Sequence, residues 1–377
     1  MSVSPARWPC LDNLRTLLVA GIIAGHGILG YSGEFGWTYQ AYRETSLAGL
    51  TQTVVLAVVG PFAVFLIALL FLISGLLTPG SLQRKGAGPY VRDRVLRLGV
   101  PWAVFALLVF PTLVHWLDRG IRHSRATWWQ DLRRLVPTLD TGPLWFLPVL
   151  LLFSTGYAVW WRTAAMSPRM RRGGAPTGRT VALLVAGVAA GTFVVRLWLG
   201  LDTNQVAGLQ VWQWPECAGL FALGTVASGH GWLVSVPPGI RRGTGRAVVA
   251  GVLVAIAVVV AVGPTRITGT DLAGGWNLPA LGVAALEATL TVCGPIWLLA
   301  KAQTRLRFDG PQWRRAGRGA YTAYLLQAPV LLGLAVLLRP VPLAAEVKAL
   351  VVALGGVLLC FDVGSLLVRR TRLGRHL

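Results

Sequence analysis

Stretches of about twenty residues almost free of charge recur along the whole chain, each long enough to cross the roughly 30 Å hydrocarbon core of a bilayer as a helix. In lipid, backbone N–H and C=O groups must bond within the protein, and a helix does this inside a single segment. Read at that length, the sequence predicts about ten spans, at 12–31, 52–78, 97–117, 143–162, 180–200, 209–233, 247–264, 276–300, 319–338 and 346–368. With 54% hydrophobic and only 13% charged residues, the chain is too apolar for a soluble domain of its length. The expected fold is therefore all-α and polytopic, a single transmembrane domain over 1–377 with no appended soluble domain. Span 52–78 is overlong and contains Pro61, which predicts tilt or a kink.

The net charge of +21 is spread between apolar spans rather than gathered on one compact domain, which favours a topology signal over nucleic-acid binding. With the N-terminus inside, alternate connections carry Arg84, Lys85, Arg92 and Arg94, then Arg169, Arg171, Arg172 and Arg179, then Arg241, Arg242 and Arg246. The series continues through Lys301, Arg305, Arg307, Arg314, Arg315 and Arg318 to a basic tail. The opposite connections are poor in positive charge, holding Arg43, Arg266, Arg339 and Lys348. Both termini are thus expected to be cytoplasmic in a multi-pass protein of the cell (inner) membrane. One connection departs from the rule. Residues 118–142 fall outside yet carry Arg119, Arg122, Arg125, Arg133 and Arg134, and the mixture of aromatic, apolar and basic positions at 127–135 predicts an interfacial helix.

Cys10, Cys217, Cys293 and Cys360 are scattered, with neither a CxxC pair nor a disulfide-like framework. The histidines show no HxxxH or HExxH spacing and no accompanying carboxylate cluster, so no metal is expected, and there is no Walker motif. The first apolar segment reads as an uncleaved anchor rather than a signal peptide. Within it, Arg15 and His26 interrupt a run of leucine, valine, alanine and isoleucine. At 100° and 1.5 Å per residue they share one helix face, about 16 Å apart. Ionisable side chains within a membrane helix are functional-site hypotheses by default.

Further pieces follow in order. After Leu11-Asp12-Asn13-Leu14-Arg15 and His26 come Phe71-Leu72-Ile73-Ser74-Gly75-Leu76-Leu77, then Arg92, Arg94 and Arg97-Leu98-Gly99-Val100-Pro101. Leu144-Trp145-Phe146-Leu147, Phe221-Ala222-Leu223-Gly224 and Ala320-Tyr321-Thr322-Ala323-Tyr324-Leu325 complete the set. Together, over nearly the whole chain, these resemble the membrane acyltransferase-3 family. The resemblance implies about ten helices, an acyl-coenzyme A co-substrate (acetyl-coenzyme A foremost), no tightly bound cofactor, and a hydroxyl acceptor on a glycan, glycolipid or small glycoside. The pattern departs at Gln327, where relatives commonly place a histidine. An amide donates and accepts hydrogen bonds but takes up no proton near neutral pH.

Moving an acyl group from a thioester to a hydroxyl requires removal of the hydroxyl proton, and His26 alone in the first span can accept it. Direct transfer with His26 as general base is the expected route, with a histidine acyl intermediate as its rival. Arg15 cannot be a base. It suits a phosphate or carbonyl of the donor, or fixes its helix through Asp12, and near the membrane edge it can also serve as a topology charge. Arg92, Arg94 and Arg97 can clamp donor phosphates or simply mark the cytoplasmic side. Trp145 can line the pocket or belong to an aromatic belt, and Glu216, beside Trp214 and Pro215, can lie at an acceptor entrance. Ser74 and Gly75 read as helix packing. Glu216, Glu287, Asp362 and Arg196, with Pro61, Pro148, Pro215 and Pro295, also suit a secondary transporter, the main alternative, although no inverted repeat is visible. A structural or partner-binding membrane protein is the third class, in which His26 is dispensable. Oligomeric state cannot be read from the sequence.

Overall fold

A computed structural model describes residues 8–33, 37–58, 65–135, 142–164, 175–200, 208–262, 272 and 274–370, and among them there are helices and no strands. In chain order the helices are α1 (Pro9–Leu29), α2 (Gly49–Val58), α3 (Leu66–Lys85), α4 (Ala87–Ile121) and α5 (Trp128–Leu135). There follow α6 (Phe146–Ala164), α7 (Gly178–Arg196), α8 (Trp214–Ser228), α9 (Pro238–Val262), α10 (Leu278–Arg305), α11 (Pro311–Leu338) and α12 (Ala345–Arg370). Among the described residues, 8 helices are long and apolar enough to cross a membrane. They are α3, α4, α6 with the turn before it, α7, and α9 to α12. The protein is an all-α, multi-pass integral membrane protein.

Each expected span has a helical counterpart, but two do not take the expected form. Span 52–78 is two helices, α2 and α3, and α3 runs on to Lys85; Pro61 and its expected kink lie outside the described residues. Span 209–233 contains a short 3-10 turn at Val211–Gln213 and then the 15 residues of α8, about 22 Å of α-helix, less than a bilayer core. Helix α1 has 21 residues, but Asp12, Asn13, Arg15, Thr16 and His26 lower its hydropathy, and it runs at the centre of the bundle, against α3, α10, α11 and α12. A polar helix of this kind is stable in a membrane when neighbouring helices rather than lipid receive its polar groups. Asn13 shows how: its Nδ2 donates to the carbonyls of Leu306 (3.0 Å) and Phe308 (2.8 Å).

Two of the sequence motifs meet at one crossing. Gly75 of α3 and Gly224 of α8 face each other so closely that a Cβ on Gly224 would stand 2.5 Å from the Leu72 carbonyl oxygen, and one on Gly75 would strike the Phe221 carbonyl. Small residues allow such backbone contact where lipid supplies no hydrophobic drive between helices. Helix α4 is unusual in another way. It widens into π-turns at Val95–Gly99 and Phe105–Val109, closed by Val100 N–H to Val95 O and Phe110 N–H to Phe105 O. Each π-turn lies just ahead of a proline, Pro101 or Pro111, whose missing N–H breaks the regular ladder.

Between α1 and α2, residues 37–48 fold back over the end of α1. Leu47 N–H bonds to Tyr31 O (2.9 Å), Tyr42 OH donates to Asp118 of α4 (3.0 Å), and Arg122 Nη2 donates to Ala41 O (2.9 Å). Arg122 is one of the arginines that broke the charge pattern, and here it closes a protein contact. Helix α5, in the region where an interfacial helix was expected, is held to α4 by His115 Nδ1 and Asp131 Oδ2 at 2.7 Å.

Candidate functional site

A cavity of about 550 Å³ opens among α1, α3, α4, α6 and α11. Its mouth is basic. Arg15, Arg84, Lys85, Arg94 and Arg97 all line it, with Asp93 as the one acidic group among the lining residues. The guanidinium of Arg94 is pre-set: Nε donates to Tyr90 OH (3.0 Å), whose oxygen is 3.0 Å from Thr78 Oγ1. Lys85 pairs with Asp93, and both remain partly exposed. Farther in, the walls become apolar and aromatic, with Val19, Ile73, Phe146, Leu147, Tyr321 and Tyr324. Ser74 also lines the cavity, and its hydroxyl has no hydrogen-bond partner among the described residues.

The π-turn brings Arg97 into this wall. Pro101 supplies no N–H to the preceding turn, and the Tyr321 hydroxyl donates instead to the Arg97 carbonyl, tying α11 to α4 beside the cavity. On α11, Ala320, Tyr321 and Tyr324 face the cavity, and Gln327 follows one turn later, at the spacing of a single helix face. Tyr324 is fixed by a hydrogen bond from its hydroxyl to Pro143 O and by an edge-on contact with Phe146, ring centroids 5.0 Å apart.

His26 lies beyond this inner end. It is seven residues past Val19 on α1, about 10 Å along the axis. Its Nδ1 is 2.7 Å from Gln327 Oε1, and its ring stacks on Trp37 with centroids 4.7 Å apart and planes within 7°. Arg15 thus lines the basic end of the cavity, and His26 lies farther along the same helix, outside the cavity lining, against Gln327 and Trp37.

The remaining candidates divide. Arg94 and Arg97 line the cavity with Arg15, whereas Arg92 lines an adjoining depression with Gly88, Pro89, Asp93 and Leu96, and Asp93 borders both. Asp12, one turn before Arg15, lies against Gly317 of α11 rather than in the cavity lining. Trp145 is packed in the core while its neighbours Phe146 and Leu147 take the cavity wall. Glu216 is in a different place altogether. It is buried, as is Arg196, whose Nη2 is 2.5 Å from Glu287 Oε2 and whose guanidinium lies over Trp212 at 5.0 Å. Asp362 forms a surface pair with Arg315 at 3.6 Å.

Sequence reasoning gave no site role to Trp37, Tyr324, Arg84 or Lys85, and set Gln327 aside. The two basic residues looked like topology charges, and nothing local marks Trp37, because its partner comes from another element. The family model described as an acyltransferase domain, that of the acyltransferase-3 family, matches residues 8–364, nearly the whole chain. No curated protein and no solved structure matches it.

Proposed function

Starting from a chain that belongs to the membrane acyltransferase-3 family, and is therefore an acyltransferase, we propose that it transfers an acyl group from acyl-coenzyme A to a hydroxyl of a carbohydrate, glycolipid or other small acceptor, with His26 as general base. What supports this reading is a cavity, lined by five basic side chains, whose apolar wall runs along α1 and α11, the two helices that carry His26 and Gln327. Coenzyme A is a polyanion with an acyl thioester at the end of a long arm, and guanidinium groups recognise phosphates through charge-assisted, often bidentate hydrogen bonds. Phosphates held by Arg15, Arg84, Lys85, Arg94 and Arg97 leave the arm to run inward past Tyr321 and Tyr324 toward His26.

In the transfer step the acceptor oxygen attacks the thioester carbonyl carbon as its proton passes to His26. The new C–O bond forms, the C–S bond breaks, and the proton is returned to the departing thiolate, giving an ester and free thiol with no net change in protons. No metal or bound cofactor takes part. The basic mouth faces the cytoplasm, where acyl-coenzyme A is found, in a protein of the cell (inner) membrane with cytoplasmic termini.

The test is acyl-coenzyme A consumption by purified protein in detergent, read as free thiol against a panel of sugar and glycoside acceptors. Acceptor-dependent release should fall by about 10²–10⁴ in a folded His26→Ala variant, the usual contribution of a positioned base. Wild-type rates in that variant would remove His26 from the chemistry, and labelled acyl recovered on His26 without acceptor would replace direct transfer by a covalent route.

A further inference from the structure

A neutral imidazole has two tautomers and free torsions, and a base is effective only when the bare nitrogen faces the proton it takes. In this protein two neighbours bear on these freedoms. Trp37 lies flat on the ring of His26 and sets its plane, and it reaches that position because Gly30 has no Cβ; one added there would be 3.2 Å from Trp37 Cδ1. Gln327 Oε1, 2.7 Å from Nδ1, is an acceptor only, so the hydrogen of that bond belongs to Nδ1.

We propose that Gln327 is the positioning residue of this enzyme: by accepting from Nδ1–H it fixes the tautomer of His26 and leaves Nε2 as the single nitrogen that takes the acceptor's proton. The inference rests on His26 being the base. Gln327 is buried, with none of its surface exposed, on the helix whose Tyr324 is anchored to Pro143 and Phe146 one turn earlier, and its Nε2 has no hydrogen-bond partner among the described residues, so its contact with His26 is made through Oε1. The same helix thus walls the cavity and aims the base, so a donor lying against Tyr324 is one turn from the group that orients His26. An amide also does this without adding a second charge to an apolar interior, where a charge is costly.

The experiment compares Gln327→Met, which keeps the length and loses the acceptor, with Gln327→Glu, which keeps an acceptor. Steady-state kinetics are read with ¹⁵N NMR of histidine-labelled protein. The wild type should show His26 protonated at Nδ1 and bare at Nε2. Gln327→Met should lower kcat by about 10- to 100-fold with the donor KM unchanged, the scale of a misaligned catalytic group, and should mix the tautomers. Gln327→Glu should restore the Nδ1–H signal and recover at least about tenfold of that loss. A wild-type spectrum with the hydrogen on Nε2, or wild-type kcat in Gln327→Met, overturns the proposal. If Gln327→Met does not fold, the wild-type spectrum decides alone. An active His26→Ala variant overturns the base assignment instead, and because the tautomer is read without substrate, the two failures are separable.

Discussion

Arg92 and Arg94 sit two positions apart on one helix, and α4 turns them to different surroundings. Two steps of an α-helix rotate a side chain by about 200°, so Arg94 enters the cavity while Arg92 lines the adjoining depression. If the cavity holds the donor's phosphates, loss of the Arg94 side chain removes a charge-assisted contact of roughly 1.5–3 kcal/mol. Arg94→Gln should therefore raise the donor KM by about tenfold or more, leaving kcat nearly unchanged, and Arg92→Gln should leave both near wild type. Equal effects of the two substitutions on donor titrations would mean that their charge acts through topology or the general field. Arg15 belongs with Arg94 in this comparison, since it opens into the same mouth.

At the level of elements, two contacts hold the site in place. The Gly75–Gly224 crossing brings α3 and α8 together backbone to backbone, so Gly224→Ala forces a methyl group against the Leu72 carbonyl and the α3 backbone cannot yield without moving cavity residues Ile73 and Ser74. Overpacking of this kind costs about 1–3 kcal/mol, and a thermal melt in detergent should show Gly224→Ala several degrees below wild type, with a loss of donor affinity. An unchanged melt would show that the helices separate freely at this point. The second contact is the fold-back segment that carries Trp37 to His26. Glu44 anchors it, accepting from Lys348 Nζ at 2.6 Å and from Tyr39 OH at 2.7 Å. Burial pushes the Glu44 carboxyl up, but its bonds to Lys348 and Tyr39 outweigh that and hold it below the ordinary 4.5. A carboxyl depressed in the folded state stabilises at pH above its unfolded value, and the gain is lost as pH falls through the folded value. Glu44→Gln should melt below wild type at neutral pH, and the difference should begin to narrow as pH falls toward the ordinary 4.5 and vanish once it passes below the lowered folded value. A gap that persists in acid would assign the effect to packing.

Taken as a whole, the molecule was legible in the sequence wherever a property repeats along the chain. Apolar length gave the helical, multi-pass architecture, and the ordered motifs gave the family; the family in turn decides for an enzyme over a transporter. That Arg15 and His26 share one face of α1 was legible too, because the helix period relates them. What escaped was long-range. Gln327 meets His26 across 301 positions, Glu44 meets Lys348 across 304, and no local pattern announces such a meeting. The broken second span escaped for a different reason, since hydropathy measures apolar length and not the continuity of a helix. One consequence belongs only to the whole protein. The basic side chains line the cavity at one end of the bundle, and His26 lies toward the other end of α1, under the fold-back segment. If acyl-coenzyme A is the donor and His26 the base, as proposed, a charged coenzyme that does not cross a bilayer meets the base from one face only, and the enzyme is sided. In sealed vesicles of known orientation, acyl-coenzyme A should be consumed only when supplied on the face bearing the α3–α4 connection. Placing it on the opposite face should give no free thiol until the vesicles are opened with detergent. Equal consumption from both faces of intact vesicles would contradict the donor route through the basic mouth, because the five cationic groups that define that route lie at a single end of the molecule.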